Sequence, residues 1–376
     1  MVVDARFWNG RRVFLTGHTG FKGTWLAAWL DELGAEVTGY GLQPRLVPSL
    51  FSSLDLEPRC RHLVGDVRDR ERLIAAMTAA DPEIVFHLAA QPIVLTGYED
   101  PVGTIETNVT GTLNLLEGLR RLRNLEAVVV VTSDKCYRDP SGHCREEDSL
   151  GSDEPYGASK ACAELLVHAW RKSFIRPEQG VGLATARAGN VIGAGDFSRY
   201  RLIPDLVRAA AAGKSPMIRY PGAIRPWQHV LDALSGYLQL AQALAHAPEQ
   251  HIGAWNFGPL VGDNWTVAEV ADLVTEQLGS ARWQHDPSAT MPEAPVQRLA
   301  TEKSRRRLGW EPVLSTSEAV SWTVSGYKSF LETGTTTWLN EQIAEFGERL
   351  QVAHRRSHST PAELATEIRH DAALAG

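Results

Sequence analysis

Five residues carry side chains that could do proton chemistry at informative spacing. Ser133, Asp134 and Lys135 follow four consecutive valines in "VVVVTSDKCY" (residues 128–137). Such an apolar, β-branched run reads as a buried strand. An acid and an amine side by side at its mouth serve no packing need. Tyr156 and Lys160 lie in "YGASK", four residues apart at the start of a helical pattern, so both side chains share one helix face. A phenol is a poor base near neutral pH, since its ordinary pKa is about 10. A neighbouring ammonium favours the phenolate, which predicts a lowered Tyr156 pKa and a pair able to take a proton from a hydroxyl. Ser133 would hydrogen-bond the same hydroxyl. Asp134 and Lys135 add two further proton-transfer groups, more than a simple alcohol oxidation needs.

A second motif places an electron acceptor. Gly17, Gly20 and Gly23 in "GHTGFKG" stand between a predicted strand, "RRVFLTG", and a predicted helix, "GTWLAAWLDELG". Glycines there let the backbone approach a pyrophosphate, and the helix N-terminus offers free N–H groups. Asp66 in "GDVRD" ends the third predicted strand, where it could meet an adenine edge or cap the following helix. The choice between NAD and NADP stays open. The second strand ends in "VTGYGLQPR" with no acid for a ribose hydroxyl, and Arg45 stands within reach of a 2′-phosphate.

These residues need a frame. Predicted strands alternate with helices up to residue 187: "AEVTGYG", "RCRHLVGDVRD", "PEIVFHLAA", "LEAVVVVTS" and "GVGLATARAGNVIG" follow the first strand. That alternation predicts an α/β fold with a doubly wound parallel sheet. Residues 1–187 would form the dinucleotide-binding part, with the chain returning to the sheet near 224–257. Residues 188–223 and 258–345, richer in Gly, Pro, Trp and Arg, would form a smaller interleaved substrate-binding region. The polar tail 346–376 is expected as a peripheral helix or as disorder.

Composition narrows the classes. The chain has 376 residues and a net charge of −7, which argues against a general nucleic-acid binder. No apolar run reaches membrane-spanning length, and the N-terminus lacks a signal-peptide pattern, so no membrane partner is expected. The four cysteines form no C-x-x-C pair. Reduced thiols in the cytoplasm, with no metal site, are the expectation.

Taken together, the glycine loop, Ser133 and the Tyr156–Lys160 pair resemble the extended short-chain dehydrogenase/reductase family. The Ser-Asp-Lys triplet resembles the CDP-glucose 4,6-dehydratases within it. "GHTGFKGTWLAAWL", "FHLAAQP", "TSDKCY", "GNVIGAGD", "AIRPWQHVLDALSGYL" and "LGWEP" look like that group's segments in the same order, over roughly residues 10–330. The resemblance implies a Rossmann sheet, bound NAD, a nucleotide-diphosphate sugar such as CDP-glucose, and a homodimer or higher homo-oligomer. It implies Tyr156 as base for the C4 hydroxyl, with Lys160 tuning it. Asp134 would be the acid for the C6 hydroxyl and Lys135 the candidate C5 base. It adds Thr19, Phe21, Lys22, Val67, Leu88, Ala89 and Gln91 to the cofactor site. For substrate it implies Asn108, Asn190, Arg201, Arg225 and Arg298. Departures fall in substrate-facing loops: Leu95 where an arginine is usual, Gly157-Ala158 after the tyrosine, Tyr200 for an aspartate and Tyr220 for an asparagine. His229 reads as a packed residue rather than a catalytic one. Rival readings are a dehydratase of another nucleotide sugar or heptose, a 4-epimerase, which would not need Asp134 and Lys135, and a silent cofactor-binding sensor.

Overall fold

The structure, a computed structural model, describes residues 2–44, 48–54, 56, 60–175, 177–288 and 294–358. Seven strands form one parallel sheet: β1 (Arg12–Thr16), β2 (Glu36–Gly41), β3 (Cys60–Val64), β4 (Ile84–His87), β5 (Ala127–Val131), β6 (Gly182–Ala188) and β7 (Gly253–Phe257). Their order is β7-β6-β5-β4-β1-β2-β3. Strand order reverses between β1 and β4, and the crevice at such a switch point is where open α/β sheets bind ligands.

The valine run is a strand because it is covered on both faces. Every residue of β5 is buried. Ala127, Val129 and Val131 join the core that holds Trp25, Leu234 and Leu238. Val128 and Val130 join a second core with Leu73, Met77, Leu115 and Leu116. The period of two thus locks β5 between two helical layers. Helices α1 (Phe21–Glu32) and Val230–His246 cover one face, and α2 (Arg70–Ala80), α3 (Gly111–Leu119) and α4 (Pro155–Ser173) the other.

Two expectations can be made more exact. Only β7 of the 224–257 stretch enters the central sheet. Trp227–His229 pairs instead with Asn190–Ile192, and between them and β7 lies the long buried helix Val230–His246. The tail is helical as far as His358: Thr337–His358 buries Leu339, Phe346 and Leu350, and Phe346 meets the Trp29 ring edge-on at 5.6 Å. Residues 359–376 and Arg45 lie outside the described residues. Finally, Arg298–Leu299 pairs in parallel with His143–Cys144, which draws a late segment of the chain against the loop following β5.

Candidate active site

The chain leaves β5 through Thr132, whose N–H continues the ladder to the Ala186 carbonyl. Ser133 is extended and caps a short 3₁₀ turn over Asp134–Cys136. Its hydroxyl accepts the Lys135 N–H at 3.2 Å and donates to Asp134 Oδ1 at 3.0 Å. Asp134 Oδ2 is buried and has no hydrogen-bond partner. Burial pushes the Asp134 carboxyl above its usual range; the charge of Lys135, the Ser133 hydrogen bond and Arg225 oppose it. A carboxyl whose protonated form burial favours in this way suits proton donation.

Helix α4 presents the second pair. Glu154 caps it, accepting the N–H groups of Tyr156 at 2.8 Å and Gly157 at 2.5 Å, and Pro155 opens the first turn. Tyr156 therefore sits at a fixed point of the first turn, with Lys160 one turn on. The expected lowering of the tyrosine pKa is not met. Burial pushes the phenol up to about 12, opposed by a hydrogen bond with Ser133 and the charge of Arg201. The reason is geometric: Lys160 Nζ donates to the Val131 carbonyl at 3.2 Å, and its own pKa is pushed down to about 8 by burial.

A buried clamp behind the strand fixes α4. Glu164 Oε1 accepts from the Thr132 hydroxyl at 2.5 Å and Arg187 Nε at 2.8 Å, while Oε2 accepts from the Thr185 hydroxyl and Arg187 Nη2, both at 2.8 Å. Arg187 Nη1 reaches the Tyr137 hydroxyl, which donates to Asn256 Oδ1. One carboxylate thus joins α4, β5 and β6, and through Arg187 and Tyr137 reaches β7. Nothing in the local sequence around Glu164 signals this.

The glycine loop fits a dinucleotide. Gly17 has φ +76°, and a Cβ there would lie 2.6 Å from the Ala89 amide nitrogen. At Gly23 a Cβ would collide with the Gly17 carbonyl. Gly20 begins α1 without a side-chain cap, leaving first-turn N–H groups open to an anion. Thr19, Gly20 and Phe21 line a small cavity at this point. Leu88 and Ala89 are pinned by N–H bonds to the Thr16 carbonyl and hydroxyl. Asp66 is forked by Arg68, and the cap of α2 is Asp69 rather than Asp66. Val67 is buried under Gly111, and its carbonyl accepts from Asn114.

Beyond this loop opens a cavity of about 270 Å³ lined by Lys22, Ser133, Asp134, Lys135, Tyr156, Asn190, Arg201 and Arg225. Lys22, expected on the cofactor, is placed on this wall. Burial and the charges of Arg201 and Lys160 push its amine down to about 7. The departures Leu95, Tyr200 and Tyr220 line the same cavity, as does Arg219, which sequence reasoning missed. Tyr200 holds a left-handed φ of +65°, an uncommon geometry for a bulky residue.

Two expected substrate residues fall elsewhere. Asn108 is buried off the cavity: Oδ1 accepts the Gln91 N–H, and Nδ2 donates to the Gln91 carbonyl and the Ser159 hydroxyl. Its amide is used up in tying the Gln91 loop to α4. The Gln91 side chain is likewise occupied, by Thr104 and the Ile93 N–H. Arg298 does not line the cavity and donates to Asn264 Oδ1 at 2.7 Å; the side chain of its neighbour Gln297 meets Lys135. His229 is a cap for Val230–His246, packed between Trp25 and Trp322, and burial pushes its pKa down to about 3.

Comparison with known proteins follows the same lines. A family model described as "NAD dependent epimerase/dehydratase family" matches residues 13–258. The chain belongs to that family. It is 45% identical, over 88% of its own length and 94% of the relative's, to a CDP-glucose 4,6-dehydratase of Salmonella typhimurium. Its fold resembles the epimerase Mth375 of Methanothermobacter thermautotrophicus, with a TM-score of 0.77 at 24% identity, covering 87% of this chain and 95% of that one. It also resembles a dTDP-glucose 4,6-dehydratase from Bacillus anthracis solved with NAD, with a TM-score of 0.69 at 21% identity, covering 87% and 99%. The family is NAD dependent, and the glycine loop is shaped for that cofactor. No described helix is long and apolar enough to cross a membrane.

Proposed function

We propose that this protein is a CDP-glucose 4,6-dehydratase, converting CDP-D-glucose to CDP-4-keto-6-deoxy-D-glucose and water. The observation that carries the reading is the unpartnered Oδ2 of Asp134, buried in the cavity beside Lys135 and Tyr156. An epimerase has no use for it. The 45% identical relative supports the CDP-sugar.

Gly17, Thr19, Gly20, Phe21 and Gly23 would hold NAD. Bound NAD+ supplies a hydride acceptor at C4 and a donor at C6, with no net consumption, and its positive charge favours the Tyr156 phenolate. Tyr156 takes the C4 hydroxyl proton, with Ser133 orienting that hydroxyl and Lys160 holding the ribose side of the site. The C4 ketone acidifies the C5 hydrogen, which Lys135 removes. Asp134 gives its proton to the C6 hydroxyl, which leaves as water. Lys135, protonated in the C5 step, would return its proton to C5. Arg201 and Arg225 suit the diphosphate, because guanidinium forks match phosphate oxygens. Substrate with deuterium at C4 should yield product with deuterium at C6 of the same molecule. Label lost to water or to free reduced cofactor contradicts the internal shuttle.

Leu95, Tyr200 and Tyr220 on the cavity wall favour one further test, a panel of CDP-, dTDP-, GDP- and UDP-glucose scored by mass for water loss. The highest rate should fall on CDP-glucose. Residues 1–187 form the cofactor part in this reading, and 188–223 with 258–345 the substrate part. A homodimer is supported by exposed Val102 and Leu165, at 65% and 59%, on the two helical segments that such enzymes pair. Four free cysteines favour the cytoplasm.

A further inference from the structure

Lys135 does not stand free in the cavity. Its Nζ donates to Gln297 Oε1 at 3.2 Å, across 162 residues of chain. Gln297 is 4% exposed and does not itself line the cavity. We propose that Gln297 is a positioning residue that aims the Lys135 amine at the substrate. This rests on the reading of Lys135 as the C5 proton-transfer group.

The segment bearing Gln297 is built to hold it. The Gln297 N–H donates to the Ile224 carbonyl at 3.1 Å, and Ile224 bridges Val296 in parallel. The next two residues pair with His143–Cys144. In the same segment the Ala294 carbonyl accepts Arg225 Nη1 at 2.8 Å. One stretch of backbone thus sets both the amine of Lys135 and the guanidinium of Arg225 against the cavity. Fixing a lysine costs side-chain entropy, and a buried acceptor on an anchored strand offsets that.

The identity of the acceptor matters. A lysine that takes up and gives back a proton must be held in both charge states. An amide oxygen accepts from either an ammonium or a neutral amine. A carboxylate at the same point would favour the ammonium. The charged groups around this end of the site are Asp134 and Arg225, which feel one another and Lys135, and Lys22, which feels Asp134. Gln297 adds a hold to this set without adding charge.

The test uses the full-length protein with NAD and CDP-glucose, and reads two steps separately. C4 oxidation is read from the transient absorbance of reduced nicotinamide. C5 proton transfer is read from solvent deuterium entering C5. Gln297→Leu should leave C4 oxidation within about twofold and slow C5 exchange about tenfold, the equivalent of one net hydrogen bond. Gln297→Glu restores an oxygen acceptor. It should recover exchange at high pH only, moving the acid limb of the pH–rate profile upward. Unchanged C5 exchange in Gln297→Leu overturns the proposal. So does an equal loss of both steps, with no recovery in Gln297→Glu at any pH. Lys135→Met separates the two ideas. If it keeps C5 exchange, the role given to Lys135 falls and the proposal with it. If it loses exchange while Gln297→Leu does not, only the role of Gln297 falls.

Discussion

Behind the end of β5 sits Glu164, and in front of it, facing the cavity, sits Asp134. The two are buried alike, at 4% and 5% exposure, yet their carboxyls are displaced in opposite directions. Burial opposes the charge of both. At Glu164, hydrogen bonds from Arg187, Thr132 and Thr185 outweigh burial and hold the carboxyl below its usual range. At Asp134 one oxygen has Ser133 and the other has no partner, so burial prevails. Saturation of the oxygens, not depth, decides whether a buried acid anchors the fold or stays ready to pass a proton. The region behind the strand is for holding and the region before it for chemistry.

Substitutions should divide along that line. The largest effect is expected at Tyr156→Phe, which removes the proposed C4 base while leaving the clamp intact. Product formation should fall by ~10²–10⁴-fold, with circular dichroism unchanged. In the clamp, Glu164→Ala leaves Arg187 buried without its carboxylate. Urea unfolding should show a loss of about 3–5 kcal/mol, the usual cost of breaking a buried pair. A loss below about 1 kcal/mol would place Glu164 with ordinary surface pairs and undo the comparison.

The pH dependence has opposite signs in the two regions. For Glu164 the folded pKa lies below the unfolded one, about 4.3. Its stabilisation is present above that pH and is lost as pH falls through the folded value. For Asp134 the folded pKa lies above the unfolded one, about 3.9. Its contribution is present below that pH and is lost as pH rises through the folded value. Asp134→Asn escapes that loss. Its melting temperature at neutral pH should match or exceed that of the unmodified protein, with the gain vanishing in acid. A lower melting temperature at neutral pH would mean that Asp134 anchors the fold as Glu164 does. The smallest expected effect lies outside both regions: Leu165→Arg, on the exposed face of α4, should shift sedimentation toward monomer with little change in melting temperature.

The chemical half of this comparison was legible in the sequence because it is local. A valine run, three adjacent side chains, a Tyr–Lys pair one turn apart and a strand–glycine–helix junction all declare themselves within a few residues. The anchoring half was not. Glu164 meets Arg187 and Thr132 only once α4 folds onto β5 and β6. Arg298 was expected at the substrate, whereas its guanidinium meets Asn264 and the neighbouring Gln297 reaches Lys135. The strand of Arg298 is two residues long, too short for alternation to show which neighbour meets Lys135. Asn108 was taken from the resemblance, and its amide is engaged by Gln91 and Ser159, partners far off in sequence. The Tyr156 pKa was read from the sequence spacing of Lys160, whereas the folded lysine turns to the Val131 carbonyl.

The central claim is that Asp134 serves elimination and not oxidation. Rapid mixing of Asp134→Asn with CDP-glucose, followed at the absorbance of bound reduced nicotinamide, tests it most directly. The account predicts that the signal forms at close to the normal rate and then persists, with no dehydrated product. Normal turnover, or no reduction at all, would contradict it.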